Sequence, residues 1–308
     1  MALDLALWGV ADPGQLAWLD PPPTGAFAQA ILLLQDLDAV DGQGRITDTG
    51  RQMAALPLHP RLAHMLIAAK ALGLFEKACD LAVLLSERDV MAGALASEKS
   101  ADIDERLHLL AVYREHGAVA VKAMGANPGL CAQIVRTSAE LKKLFPSRQG
   151  ALRDKADVTP AALASLAYPD RIARRKAEGS GQYLMANGRI ACLQQSDPLR
   201  NFEFLSVMQL DAGRSEGKIY LAGALDLSDI SQLHGHRLCH EEEVAWNDRE
   251  RTVRARRLTR LAKLILAEQP LAKPDPDLLA IALLDGIRQV GIAVLPWTEE
   301  ARQTESSR

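Results

Sequence analysis

Apolar residues recur at helical spacing through most of the first half of the chain and alternate through much of the second. The pattern is most informative between Asp36 and Asp89. An apolar run ends at the turn Asp41-Gly42-Gln43-Gly44, and a short β-prone piece carries Arg45 and Ile46. A small helix over Gly50–Ala55 follows, with Thr47 or Thr49 placed to cap it. Pro57 and Pro60 bracket a linker, and Pro60 suits the first turn of a long amphipathic helix from Arg61. The buried stripe of that helix is Leu62, Met65, Leu66 and Ala69, which leaves Arg61, His64 and Lys70 on other faces. Gly73 fits the left-handed position after its end, and a second helix over Phe75–Leu85 completes an αα-hairpin. Helix, glycine turn, short strand and helix, in that order, predict a winged helix docked on a helical bundle.

Upstream, Met1–Gly9 reads as the tail of a helix, and a helix at the first residue is expected of a chain that starts inside a domain. Asp12-Pro13 opens a short turn holding Leu16, Trp18 and Leu19, stopped by Pro21-Pro22-Pro23. Thr24 is placed to cap a helix from Gly25 to Leu37, with Phe27, Ala30, Ile31, Leu34 and Leu37 on one face. Downstream, helical spacing runs from Asp102 to Leu144 with a break at Gly125–Gly129. Pro146–Pro160 reads as a polar linker and Ala161–Ala167 as a last short helix.

Alternation begins after Tyr168-Pro169. Tyr183–Ala186 and Arg189–Leu193 flank Asn187-Gly188, a strong hairpin signal. Glu203–Leu210 and Lys218–Leu225 are joined by the Gly213–Gly217 turn, and Glu243–Trp246 pairs with Arg251–Arg257 across Asn247-Asp248. Such a set of short antiparallel strands predicts a small barrel of OB type. Asp226–His234 reads as a turn or short helix, Asp275–Val290 as a final amphipathic helix, and Ile292–Trp297 as an apolar tag before the polar end Glu299–Arg308. The fold class is therefore α+β multidomain: winged helix plus helical bundle, then a small antiparallel OB-like β-barrel and a C-terminal helix.

Composition narrows the function classes. At 308 residues there is room for two or three domains, and aromatics at 4% favour helix packing over an aromatic-rich sandwich. A net charge of −3 argues against a wholesale polyanion binder, so any nucleic-acid surface must be a local basic patch. The four cysteines form no CxxC pair, which fits free thiols in a reducing compartment. Met1 opens no signal segment and Ile31–Leu34 is too short to span a bilayer, so a cytoplasmic protein without a membrane partner is expected.

A set of short blocks carries a family resemblance. They are Trp8-Gly9, Trp18-Leu19-Asp20 with Pro22, Gly44-Arg45-Ile46-Thr47 with Gly50, and Leu56-Pro57-Leu58-His59-Pro60-Arg61-Leu62-Ala63. Leu84–Asp89, Tyr168–Arg175, Asn187-Gly188-Arg189, Gly286-Ile287-Arg288 and Leu295-Pro296-Trp297 follow in order. Together they resemble the region downstream of the motor in HrpB-type DEAH-box ATP-dependent helicases. The resemblance implies a helical lead-in and winged helix over residues 1–60, a ratchet-like bundle over 61–167, an OB-like barrel over 168–268 and the start of a C-terminal region over 269–308. It also implies two RecA-like motor domains before Met1 and more chain after Trp297. The sequence has no GxxxxGK[ST] and no Asp-Glu-x-His box, so ATP and Mg²⁺ are expected only through those motor domains. No catalytic residue is assigned, and the implied partners are single-stranded RNA or DNA and the motor. A free-standing winged-helix binding or adaptor protein is the alternative, and a metal-dependent enzyme a third reading.

Candidate residues follow from charge and from that resemblance. Arg171, Arg174, Arg175 and Lys176 cluster at the mouth of the β segment, where a basic groove would contact phosphates, and Arg189 sits at the hairpin turn. Arg61, His64 and Arg88 lie on the polar faces of the bundle, which the resemblance places along the path of a strand. Arg45, Asp48 and Arg51 of the winged helix are candidates for a motor interface. The arginine-dense hairpin, with Arg254 and Arg256 on one face, can instead pair with Glu241, Glu242 and Glu243. His234, His236, Cys239, His240 and Glu241 are the one metal-like cluster, but no second distant Cys/His pair accompanies them, and no metal is expected.

Overall fold

The computed structural model describes residues 1–91, 100–144, 158–211 and 216–291. Most of the Pro146–Pro160 linker, most of the Gly213–Gly217 turn, the Ile292–Trp297 tag, the Leu295-Pro296-Trp297 block and the polar end lie outside the described residues. The chain forms two compact units, Met1–Gly235 and His236–Arg308.

The first unit opens with α1 (Ala2–Leu7) and α2 (Thr24–Asp36). Thr24 is not the cap of α2. The cap is Pro23, which offers no side-chain acceptor, and Thr24 is already helical. The wing closes on a single bridge, Val40 to Ile46. Asp41 organises its turn, accepting from the backbone N–H groups of Gln43 and Arg45 at 2.9 Å and from the Arg45 guanidinium at 2.8 Å. Thr47 caps α3 (Asp48–Ala54): its Oγ1 accepts from the Gly50 N–H at 3.0 Å and donates to the Asp38 carbonyl at 2.5 Å. Gly50 is required by proximity, because a Cβ there would stand 2.1 Å from the Ala39 carbonyl oxygen.

The bundle comprises α4 (Pro60–Ala71), α5 (Phe75–Ser86), α6 (Ile103–Ala123), α7 (Pro128–Lys143) and α8 (Pro160–Ala167). Three of these helices start alike. His59, Asn127 and Thr159 accept a first-turn N–H while a proline occupies the next position, where a missing donor costs nothing. Leu62, Met65 and Leu66 of α4 are buried, each worth about 1.5–3 kcal/mol in water-excluded area. Gly117, at φ +76°, kinks α6, a break not expected from the periodicity. Every residue of Ala161–Ala167 is buried, so α8 is the post on which α4, α5 and the barrel pack.

The barrel is β1 (Ile172–Arg175), β2 (Gln182–Met185), β3 (Ile190–Cys192), β4 (Phe204–Leu210) and β5 (Glu216–Leu225), closed in the order β1-β2-β3-β5-β4. It is not wholly antiparallel: β3 and β5 run parallel, because β4 turns back to close on β1. Ala173, Tyr183, Met185, Ala191, Leu205 and Val207 fill its interior. After α9 (Leu227–His234) the unit ends.

The second unit holds β6 (Leu238–Asn247), β7 (Thr252–Leu261) and β8 (Leu264–Pro270), paired in that order, followed by α10 (Pro276–Val290). The arginine-rich hairpin is therefore not a barrel hairpin. The five barrel strands satisfy one another and leave no edge, while β7 takes β8 as its second partner. Cross-strand pairing absorbs its charge: Arg256 meets Glu243 at 2.5 Å and Glu268 at 2.6 Å, and Arg257–Glu242 and Arg260–Glu241 both lie at 2.9 Å. Gly286 lets α10 approach the Trp246 ring, where a Cβ would come within 2.1 Å.

Candidate nucleic-acid interface

Two motifs far apart in sequence meet in the first unit. The guanidinium of Arg61 donates to both oxygens of Asp170, at 2.6 and 3.0 Å, and to the Ala167 carbonyl at 3.0 Å. One turn further along α4, His64 Nδ1 lies 2.8 Å from the Leu166 carbonyl. Both groups thus cap the end of α8, where the last carbonyls lack helical partners and the dipole favours cations. The expectation that Arg61 sits on a polar face is corrected: it is 7% exposed, because α4 packs on the buried helix α8 and buries whatever meets its terminus.

Tyr168, the residue after α8, has two cations over its ring. Arg61 and Arg171 each stand 5.1 Å from its ring centroid, a geometry that attracts through the ring quadrupole. Burial raises the Tyr168 phenol, so it stays neutral. Burial, then repulsion from Arg61, lowers Arg171 from its ordinary value, and a guanidinium so shifted remains charged at neutral pH. Arg171 donates to the Met208 carbonyl at 3.1 Å, which fixes it at the edge of the barrel.

This cluster floors a cleft of about 1030 Å³. The α3–α4 linker from Leu56 to His59 forms one wall, Ser86, Glu87 and Thr137 another, and Tyr168, Arg171 and Met208 the third. Winged helix, bundle and barrel therefore all contribute. Burial, then the charges of Arg61 and Arg171, lowers the His59 imidazole, which is neutral at pH 7 and accepts from the Arg61 N–H at 3.3 Å. Such a site offers a cation beside an aromatic ring, neutral polar groups and the Glu87 carboxylate, which accepts from Gln133 at 2.9 Å.

The other candidates are dispersed. The run from Arg171 to Lys176 is not one patch. Arg174 pairs with Glu203 at 2.9 Å and stacks over Phe204, Arg175 donates to the Arg200 carbonyl at 2.7 Å, and Lys176 is exposed. Arg189 stands at the exposed β2–β3 turn, where its charge is felt by Arg171. Arg88 is exposed after α5 and has no partner among the described residues. On the winged helix Arg45 pairs with Asp41, and Arg51 lies 3.8 Å from Asp48, both largely solvent-facing. His234 of the metal-like cluster is buried, with Nε2 2.7 Å from the Ser165 hydroxyl, and no group of three or more His, Cys, Asp or Glu that could hold a metal occurs among the described residues. Tyr168, Asp170 and His59 lie within the blocks that carry the family resemblance but are not among the candidate residues. The signal for Tyr168 was an aromatic two positions before an acid and three before a cation at the end of an apolar helix.

Winged helix, bundle and five-stranded barrel arranged around such a cleft define a helicase-associated accessory region. Residues 30–58 match the winged-helix helicase-associated domain (HA2), and residues 237–271 match the connector region of the ATP-dependent RNA helicase HrpB. The chain is 33% identical over 305 residues to the ATP-dependent RNA helicase HrpB of Escherichia coli K12, which covers 98% of this chain and 34% of that protein. The probable ATP-dependent RNA helicase DHR2 of Saccharomyces cerevisiae is 31% identical over 115 residues, 37% of this chain and 16% of its own. The crystal structure of the E. coli DExH-box NTPase HrpB superposes with a TM-score of 0.68 at 33% identity, over 98% of this chain and 34% of that one. In sequence and fold the chain corresponds to a C-terminal portion of an HrpB-like helicase, and it spans about a third of the length of that relative. The free-standing adaptor gains nothing from these matches, which run through bundle, barrel and connector as well as the winged helix. No helix among the described residues is long and apolar enough to cross a membrane.

Proposed function

We propose that this chain is the strand-guiding accessory part of an ATP-dependent helicase, holding single-stranded RNA in the cleft above Arg61, Tyr168 and Arg171. The observation that carries the reading is the cluster itself: a ring with two cations over it, one buried and structural, the other at the cleft edge. Arg171 contacts a phosphate, Arg189 and Arg88 extend the basic edge, and the Leu56–His59 linker provides the opposite wall. RNA is chosen over DNA because the relatives carry RNA helicase in their names. ATP and Mg²⁺ act on RecA-like motor domains, which the winged helix meets through Arg45, Asp48 and Arg51. Residues 1–60, 61–167, 168–268 and 269–308 are the working division into lead-in and winged helix, ratchet-like bundle, barrel region and C-terminal start. Free cysteines at Cys79, Cys131, Cys192 and Cys239 suit the cytoplasm.

The test is photo-crosslinking with a 4-thiouridine RNA of about 12 nucleotides, a length within the range of such sites. Cross-links mapped to the peptides holding His59 and Tyr168–Arg171 support the reading. Cross-links confined to the winged-helix surface at Arg45–Arg51 contradict it.

A further inference from the structure

The cleft carries one charge of the wrong sign for a phosphate. Helix α5 ends at Ser86, and Glu87 leaves it in extended conformation, at ψ 173°, with its N–H still bonded to the Val83 carbonyl at 3.2 Å. Glu87 lines the same cleft as Arg171 and is half-buried. Two other half-buried carboxylates of this unit are neutralised, Asp80 by Arg114 at 2.8 Å and Lys142 at 3.0 Å, and Asp170 by Arg61. Glu87 forms no salt bridge among the described residues and takes a neutral amide instead, from Gln133 of α7 at 2.9 Å. The C-terminal end of a helix also carries partial negative charge, so a carboxylate there works against the fold.

The amide fixes the carboxylate and leaves most of its acceptor sites unused, because an ionised carboxyl offers about four. Thr137, one helical turn beyond Gln133 on α7, brings a hydroxyl to the same wall. A strand held by one phosphate at Arg171 cannot set another against Glu87, since like charges repel strongly where water is partly excluded. What a strand can offer there is a hydrogen-bond donor. Base donors differ from one nucleotide to the next, while the ribose 2′-hydroxyl recurs at every nucleotide of RNA and is absent from DNA. It is donor and acceptor at once, which matches Glu87 and Thr137 taken together.

We propose that Glu87 sets the preference of the cleft for RNA: its carboxylate accepts from a ribose 2′-hydroxyl, Thr137 donates to the same oxygen, and Gln133 positions the carboxylate. The inference rests on the strand-guiding reading above and names what that cleft selects. DNA brings no donor and leaves Glu87 unpaired beside a phosphodiester chain, so the same group favours one strand and disfavours the other.

The test compares fluorescein-labelled oligo(U) of about 12 nucleotides as RNA, as its 2′-deoxy form and as its 2′-O-methyl form. Anisotropy with the full chain gives affinities for the wild type, Glu87→Ala, Glu87→Gln, Gln133→Ala and Arg171→Glu, each checked for an unchanged thermal midpoint. The wild type is expected to bind RNA about tenfold more tightly than either modified strand, one charge-assisted hydrogen bond's worth. Glu87→Ala should bring that ratio to about 1, by weakening RNA and tightening DNA. Glu87→Gln keeps an acceptor without the charge, so it should retain part of the ratio, and it serves if the alanine variant fails to fold. Gln133→Ala should lower the ratio while leaving DNA affinity unchanged, which a merely structural loss would not do. Arg171→Glu should weaken all three strands by one factor and leave the ratio alone. If Arg171→Glu weakens binding but the wild type holds RNA and DNA equally, Glu87→Ala acts equally on both, or the 2′-O-methyl strand binds like RNA, the 2′-hydroxyl contact is overturned and the cleft stands. A Glu87→Ala effect seen with oligo(U) but not with oligo(A) assigns the carboxylate to a base and overturns the contact too. A silent Arg171→Glu beside a ratio lost in Glu87→Ala overturns the phosphate contact at the cleft edge and keeps the 2′-hydroxyl. No binding by the wild type overturns both.

Discussion

Arg61 and Asp170, 109 positions apart, are joined by two hydrogen bonds of 2.6 and 3.0 Å. The pair ties the first turn of α4 to the entrance of the barrel, and through Ala167 to the end of α8. With side chains 9% and 21% exposed it is mostly desolvated, so removing one partner leaves a buried charge. Arg61→Ala should destabilise the first unit by about 3 kcal/mol, and Arg61→Lys should restore only part, because an ammonium cannot grip both carboxylate oxygens. Denaturant unfolding of both variants checks this, and Asp170→Asn combined with Arg61→Ala should cost less than the two singly added.

Gly50→Ala tests the winged helix. The new methyl would press on the Ala39 carbonyl and on Ile46, 2.8 Å away, and neither backbone nor wing can retreat without breaking the Thr47 cap. A loss of about 3 kcal/mol by chemical denaturation is expected, at the upper end for overpacking. A variant as stable as the parent would mean that the Ala39–Gly50 approach is looser than it stands.

Several elements were legible because their signals are local. Gly73 after α4, Thr47 before α3 and Asn187-Gly188 between β2 and β3 each act on residues beside them. What was not legible depends on distant partners. Arg61 was read as exposed because helical spacing puts it off the stripe, and only the arrival of α8 and Asp170 from the far side buries it. Strand β1 was hidden by Arg174 and Arg175, whose charges are met by Glu203 and by a carbonyl from another loop. The hairpin of β6 and β7 alternates like a barrel strand, and only β8, an unread strand, decides its sheet. The same limit governs the site: charge pointed to the run from Arg171 to Lys176, but its members face in different directions.

Asp80 predicts a pH dependence. Burial alone would raise its carboxyl, but hydrogen bonds from Ser138, Arg114 and Lys142 outweigh that and hold it below the ordinary value. A carboxylate depressed in the folded state stabilises the fold above its unfolded pKa, about 4, and loses that contribution as pH falls through the folded value. Asp80→Asn should therefore cost about 1–2 kcal/mol at pH 7 and flatten the fall in stability below about pH 4. Urea midpoints between about pH 3 and pH 7 read both effects.

The thiols should react in a fixed order. Burial pushes Cys79 up to about 12, Cys131 upward, and Cys192, which also donates to Glu216, up to about 11. Cys239 is exposed on β6. A disulfide reagent at about pH 8 should modify Cys239 in the folded protein, while Cys79 and Cys131 wait for unfolding. Prompt modification of Cys79 would contradict the packing of α5.

The central claim, that the cleft edge at Arg171 holds a nucleic-acid strand, is tested most directly by salt dependence. Anisotropy of a labelled single-stranded RNA is recorded from about 50 to 200 mM salt for the wild type, Arg171→Glu, and Arg288→Glu, an exposed position of α10 carrying the same charge change. The account predicts that Arg171→Glu binds at least about tenfold more weakly with a slope shallower by about 0.7, one single-strand phosphate, while Arg288→Glu follows the wild type. Equal affinity and slope for Arg171→Glu and the wild type would contradict it.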